Sequence, residues 1–262
     1  MPTNPGYNPT RRNRNIGTAK HGHGQNNKMV IPWPASTHKI FHERLEKYRK
    51  TPRMIGGKEY VFVVEEVRPH SAHACSISDI VRILEHVPSK DLDGLDLIVF
   101  RQPKRKEQIL SPVWGRLIYS YEFEKTGKPA IILESVDLES RLKWSKHLCV
   151  DIQHELERLI EDGHAFRDTG RHFEAGFEIE AVRNTQLYRT LLHEIGHYVH
   201  YLEVVERPDN ENEDFEAWQK RSDKYWSIPS DEKERFAHRY ADGLRKKLVE
   251  SSVIPFEQKG ST

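Results

Sequence analysis

The chain is poor in cysteine, in methionine and in long apolar runs. Of its 262 residues only two are cysteine, Cys75 and Cys149, and three are methionine. Two cysteines cannot supply the disulfide framework of a small secreted domain. Both are read as buried thiols in a reducing compartment rather than as one bridge. No apolar run reaches the roughly 18 residues of a membrane-crossing helix, and the first residues lack the apolar core of a secretory signal. A cytoplasmic location and no membrane partner are therefore expected. Excess charge of one sign is missing too: 41 Lys and Arg offset 40 Asp and Glu, leaving a net +1. Nothing global calls for nucleic acid or an acidic surface. What remains is a polar chain, 31% charged and 36% hydrophobic, with 10% aromatic residues to build a sizeable core.

The first 28 residues have no periodic apolar pattern and are rich in Pro, Asn, Gly and Arg, so they are expected to form a disordered or extended arm. The arm carries Arg11, Arg12, Arg14, Lys20 and Lys28 and no acidic residue. It fits either a solubilising tail or a weak contact with nucleic acid. His21 and His23 lie too far from other ligands in the sequence to define a metal site.

Alternating and helical periods then suggest an order of elements. Ser36 or Thr37 is placed to cap a helix to about Arg49, ended by Pro52 and Gly56-Gly57. Tyr60 to Val67 reads as a strand, and Ser76 or Ser78 as the cap of a short helix ending near Val87-Pro88. Further strands are expected at 95–101, 115–121 and 129–134, with a turn around Thr126-Gly127. The order so far is β-α-β-β-β. A helix is expected from Glu139 to Asp162, then a strand or loop over 167–180, then a central helix capped by Asn184 or Thr185. A helix holding Phe215, Trp218, Tyr225 and Trp226 follows, and Ser230 is placed to cap a last one from Asp231 to about Val249. The fold class is α+β.

The central helix carries Thr190-Leu-Leu-His193-Glu194-Ile-Gly-His197-Tyr-Val199. Residues four apart share a helix face about 6 Å apart along the axis. Two imidazoles so placed can each put a nitrogen about 2.0–2.1 Å from one Zn²⁺. Glu194 then lies where a general base is needed beside a zinc-bound water. Leu191, Ile195, Val199 and Leu202 fall on the opposite arc, so the helix buries that arc and leaves the histidines facing a cleft. A catalytic zinc needs a third protein ligand. His200 lies about 10 Å along the axis from His193 and cannot close on the same ion. Glu203 would need a helix break near position 200, which His200 occupies. On the last helix Phe236, Ala237, Tyr240, Ala241, Leu244 and Leu248 form a buried stripe. Glu234 projects closest to it, beside the small Ala237 and Ala241, with Glu232 as the alternative. A purely structural zinc site is disfavoured, because such sites usually have four ligands rich in cysteine.

His193-Glu-Ile-Gly-His197 followed by Glu234-Arg-Phe-Ala237 resembles the gluzincin metallopeptidases, in particular the compact group around the ImmA/IrrE family and the anthrax lethal-factor catalytic domain. The resemblance covers roughly residues 60–249. It implies a zincin-like fold over residues 29–262, with a β-α-β-β-β upper subdomain above the active-site helix and a helical C-terminal subdomain. It implies a zinc metalloendopeptidase acting on a protein or peptide, with His193, His197 and Glu234 as ligands and Glu194 as the base. It also implies that Tyr225 stabilises the oxyanion and that strand 130–134 is the edge pairing with substrate. The ImmA/IrrE pattern usually has Glu-Ala-Asn before Phe-Ala, where this chain has Glu232-Lys-Glu234-Arg, so the choice between the two glutamates stays open. The rival reading is a nucleic-acid-associated regulator of zincin-like fold in which proteolysis is secondary or lost.

Overall fold

Gly56 and Gly57 have φ angles of 57° and 84°. Two successive residues of positive φ form the two-residue turn whose twist suits a β-hairpin. The hairpin joins β1 (Tyr48–Ile55) to β2 (Lys58–Glu65), paired antiparallel from Ile55–Lys58 out to Tyr48–Glu65. The computed structural model describes residues 44–110, 113–146, 150–208 and 214–257, so the basic arm and Cys149 lie outside the described residues. The helix expected to reach Arg49 is corrected: residues 44–47 are not helical, and Tyr48 and Arg49 already belong to β1. The start of that helix lies outside the described residues. Pro52 sits inside β1 instead of ending a helix, which an edge strand tolerates because it has a free side.

A short ribbon of β3 (Ser71–Ala72) leads into α1 (Ile77–Leu84). Ser76 caps α1 in a reciprocal capping box with Asp79, satisfying two backbone donors at once. After a 3₁₀ turn at Ser89–Leu92 come β4 (Leu97–Arg101), α2 (Arg105–Leu110), β5 (Gly115–Phe123) and β6 (Thr126–Glu134). The expected turn at Thr126-Gly127 falls earlier, at Glu124 and Lys125, whose φ angles are 51° and 69°.

The five strands form one mixed sheet in the order β1-β2-β4-β6-β5. The inner pairs β2–β4 and β4–β6 are parallel, and both edges are antiparallel. Strand 130–134 is therefore interior, not the edge. A run with apolar residues on both faces suits an inner strand better than an edge, and β5, with its more polar alternation, takes the edge. On one face Phe62, Ile98, Phe100, Ile131 and Leu133 pack against α1 and the later helices. On the other, Val63, Leu97, Val99, Ala130 and Ile132 form a second cluster with Tyr121 and Phe123.

The ribbon partner β7 (Val136–Asp137) precedes β8 (Arg141–Ser145). The helix expected from Glu139 is thus corrected in its first part. Leu142 and Trp144 alternate with exposed Arg141, Lys143 and Ser145, and β8 pairs with β10 (His172–Gly176), which also pairs with β9 (Arg167–Asp168). The ambiguous segment after residue 167 is a strand because β8 offers it a ladder. Between them lies α3 (Val150–Glu161).

The central helix begins earlier than expected. It runs from α4 (Ile179–Thr185) through a π turn at Gln186–Thr190 into α5 (Leu191–Tyr201) and a second π turn at Leu202–Glu206. Asn184 and Thr185 are not caps: their side chains donate to Asp162, Thr185 Oγ1 to its carboxylate at 2.9 Å and Asn184 Nδ2 to its carbonyl at 3.1 Å. Helix α6 (Phe215–Ser227) and helix α7 (Ser230–Glu250) follow, with Pro229 rather than Ser230 in the cap position of α7 and Ser230 its first helical residue. The architecture is mixed α+β. No described helix is long and apolar enough to cross a membrane.

Candidate metal centre

Leu191, Ile195, Val199 and Leu202 are at most 5% exposed and lie in the core below the sheet. That fixes the rotation of α5 and turns His193 and His197 outward, 18% and 15% exposed. Helix α7 then comes very close. A Cβ on Gly196 would sit 2.8 Å from the carbonyl oxygen of Ala237 and 2.9 Å from its Cα. Only glycine fits there, and the contact brings Glu234, one turn earlier on α7, over the histidine pair.

His193 Nε2 lies 3.0 Å from His197 Nε2 and 3.1 Å from Glu234 Oε2, and His197 Nε2 lies 3.5 Å from Glu234 Oε1. Tetrahedral bonds of about 2.0–2.1 Å place neighbouring donors about 3.3–3.4 Å apart. Two imidazoles and one carboxylate, Glu234 facing each ring through a different oxygen, thus come within reach of a single metal ion. Among the described residues this is the group of His, Cys, Asp and Glu side chains close enough to hold one ion. Glu232 stays exposed outside it. Contact with both imidazoles holds the Glu234 carboxyl well below the usual carboxylate range. His200 is buried and stacks on Phe236 at 4.3 Å, away from the group. Cys75 is a buried free thiol, facing the Gln186 amide oxygen at 3.6 Å.

Glu194 points to the edge strand. Its Oε2 accepts the Leu117 backbone N–H at 2.7 Å. Burial pushes its pKa up, and His193, His197 and the Leu117 amide oppose that. Strand β5 runs alongside α5. A Cβ on Gly115 would lie 2.9 Å from Thr190 Cγ2, Leu117 bonds Glu194, and the Tyr119 hydroxyl lies 3.5 Å from the His197 carbonyl. Gln186, buried in the π turn, ties the helix to the sheet by donating to the carbonyls of Trp114 at 2.8 Å and Glu134 at 2.7 Å. π turns recur at functional sites, and two of them flank α5.

A cleft of about 380 Å³ opens beside His193 and Glu194. Trp114 just before the edge strand and Gly115 at its start line it, with Glu155 and Arg158 from α3 and His238 and Arg245 from α7. Sequence reasoning missed His238, although it follows Glu234 by the same four residues that separate the histidine pair. Nothing in the sequence pointed to Arg158 or the Leu117 amide. Tyr225 is fully buried on the other flank. Its hydroxyl lies 2.6 Å from that of Tyr119 and donates to the His197 carbonyl at 3.5 Å. Burial raises the pKa of both phenols, so they stay neutral. Comparison of the chain with models of known families, with curated proteins and with solved structures gave no match.

Proposed function

We propose that the chain is a zinc-dependent peptidase of zincin-like fold that hydrolyses a protein or peptide substrate. The observation that carries this reading is the convergence of His193, His197 and Glu234, from two helices 41 residues apart at the nearest ion pair, within reach of one ion. Zinc held there supplies Lewis-acid polarisation of a carbonyl and acidification of a water.

Glu194 is the general base. The Leu117 amide fixes its orientation, and burial raises its proton affinity, which suits a group that takes a proton and returns it to the leaving amine. Because the Leu117 N–H points to Glu194, this stretch of β5 presents backbone groups to the cleft, where an extended peptide can add as a further strand. The edge role given to 130–134 by resemblance passes to 115–119.

The test is zinc content and cleavage in the wild type and in Glu194→Gln. The expected result is about one zinc per chain in both, with new protein termini generated only by the wild type. Removal of a general base costs on the order of 10²–10⁴ in rate. Wild-type protein that takes up no stoichiometric zinc would sink the reading.

A further inference from the structure

His238 is the one imidazole in the cleft that the proposed ligand set leaves unused. It lies on α7 one turn beyond Glu234, with its ring centroid 4.5 Å from that of His193. Arg158, reaching over from α3, places Nη1 3.5 Å from His238 Nδ1. A guanidinium has five N–H donors and no acceptor. Nδ1 facing it is therefore the lone-pair nitrogen, and the ring proton sits on Nε2. Among the described residues Nε2–H meets no acceptor, and the side chain lines the cleft. A neutral donor, set by a cation behind it, thus stands beside the first ligand histidine. The two hydroxyls that could otherwise serve are paired with each other, Tyr119 and Tyr225, on the opposite flank.

We propose that His238 is a catalytic hydrogen-bond donor, its Nε2–H binding the substrate carbonyl oxygen and the oxyanion that grows from it, and that Arg158 positions it by holding its tautomer. This rests on the metallopeptidase reading. A donor placed where charge develops strengthens its hydrogen bond as the reaction proceeds. Arg158 also keeps the ring from turning over, because the flipped ring would set N–H against N–H.

Two substitutions separate this from a purely structural role. Glutamine places an amide N–H near the position of Nε2, whereas asparagine places one near Nδ1. The probes are zinc itself, acetohydroxamate, which reads the metal and Glu194, and an N-phosphoryl dipeptide, whose tetrahedral anion mimics the reaction intermediate. All are measured by calorimetry on the full chain. Zinc and acetohydroxamate are expected to bind the wild type, His238→Gln and His238→Asn alike. The N-phosphoryl dipeptide is expected to hold to within about fivefold in His238→Gln and to weaken about 10²-fold in His238→Asn, the cost of one oxyanion donor. Equal affinity in all three proteins, or equal loss in both variants, overturns the proposal. So does a fall in zinc affinity that accounts for the loss, since His238 would then only support His193. A wild type that takes zinc and acetohydroxamate but not the phosphoryl group overturns the donor role alone. A wild type without zinc overturns the metallopeptidase reading beneath it.

Discussion

The two flanks of the histidine helix differ in chemistry. Beside His193 the neighbours are ionisable and the space is open: Glu155, Arg158, His238 and Arg245 line a cleft. Beside His197 the neighbours are aromatic and interlocked. Tyr119, Tyr201, Tyr225 and Trp226 pack with ring centroids 5.0 to 5.9 Å apart. Edge-to-face rings of this kind hold geometry tightly, while solvated charges hold it loosely. The aromatic flank thus works as a buttress that fixes the end of α5, and the ionisable flank is where a reacting group can enter. His193, His197 and Glu234 lie in the seam between them.

The largest expected effect is on the seam itself. Glu234→Ala removes one of three donors and should lower zinc affinity by more than the roughly 10–100-fold typical of losing an outer partner of a ligand. Titration against a chelator of known affinity measures it. Unchanged zinc binding would place the third ligand elsewhere. Gly196→Ala comes next, because its methyl must displace Ala237 by several tenths of an ångström. Overpacking of this kind costs about 1–3 kcal/mol, and zinc affinity should fall with it as Glu234 is carried outward. A stable protein with full zinc affinity would show that the close approach of α5 and α7 is not what builds the site.

Tyr119→Phe should have a smaller effect. It removes the hydroxyl paired with Tyr225, worth about 1 kcal/mol net, so Tm should drop about 2–4 °C for a domain of this size. Zinc affinity should stay within twofold. If zinc is lost instead, the aromatic flank is part of the metal site and the contrast fails.

The smallest effect is the pH response, which has opposite signs on the two flanks. Burial lowers the pKa of His164, which lies behind Trp114 on the cleft side, against a pull upward from Asp162. The unfolded chain then takes the proton first, so this stability is present above the ordinary histidine value of about 6.5 and is lost as pH falls below it. Burial raises the pKa of Tyr119 and Tyr225. Their contribution is present below the ordinary tyrosine value of about 10 and is lost as pH rises above it. Thermal unfolding across pH should show His164→Gln flattening the acid limb and Tyr119→Phe the alkaline limb. A single variant that changes both limbs equally would erase the distinction.

Much of the central helix was legible because its period is strict. One apolar arc must be buried, so the histidines had to face the other way, and the burial of Leu191, Ile195 and Val199 agrees. The choice of Glu234 over Glu232 was legible only in part, since a projection gives a direction and not the distance set by Gly196 against Ala237. The first residues of β1 and the whole of β8 read as helix in the sequence because neither segment has a private strand signal. Tyr48–Ile55 is a strand because β2 pairs with it, and Arg141–Ser145 because β10 does. The edge of the sheet was likewise invisible, because strand order depends on which ladders close and not on any one strand's composition.

By itself, then, the sequence determined which residue types bear chemistry and which helix face each occupies, because helical spacing is a local property of a few turns. The tertiary structure alone decided that α7 closes on α5 through a glycine, that β5 rather than β6 borders the cleft, and that His238 and Arg158 meet there. Those are contacts between residues tens of positions apart, set by how closely backbones pack, and no local pattern encodes that distance.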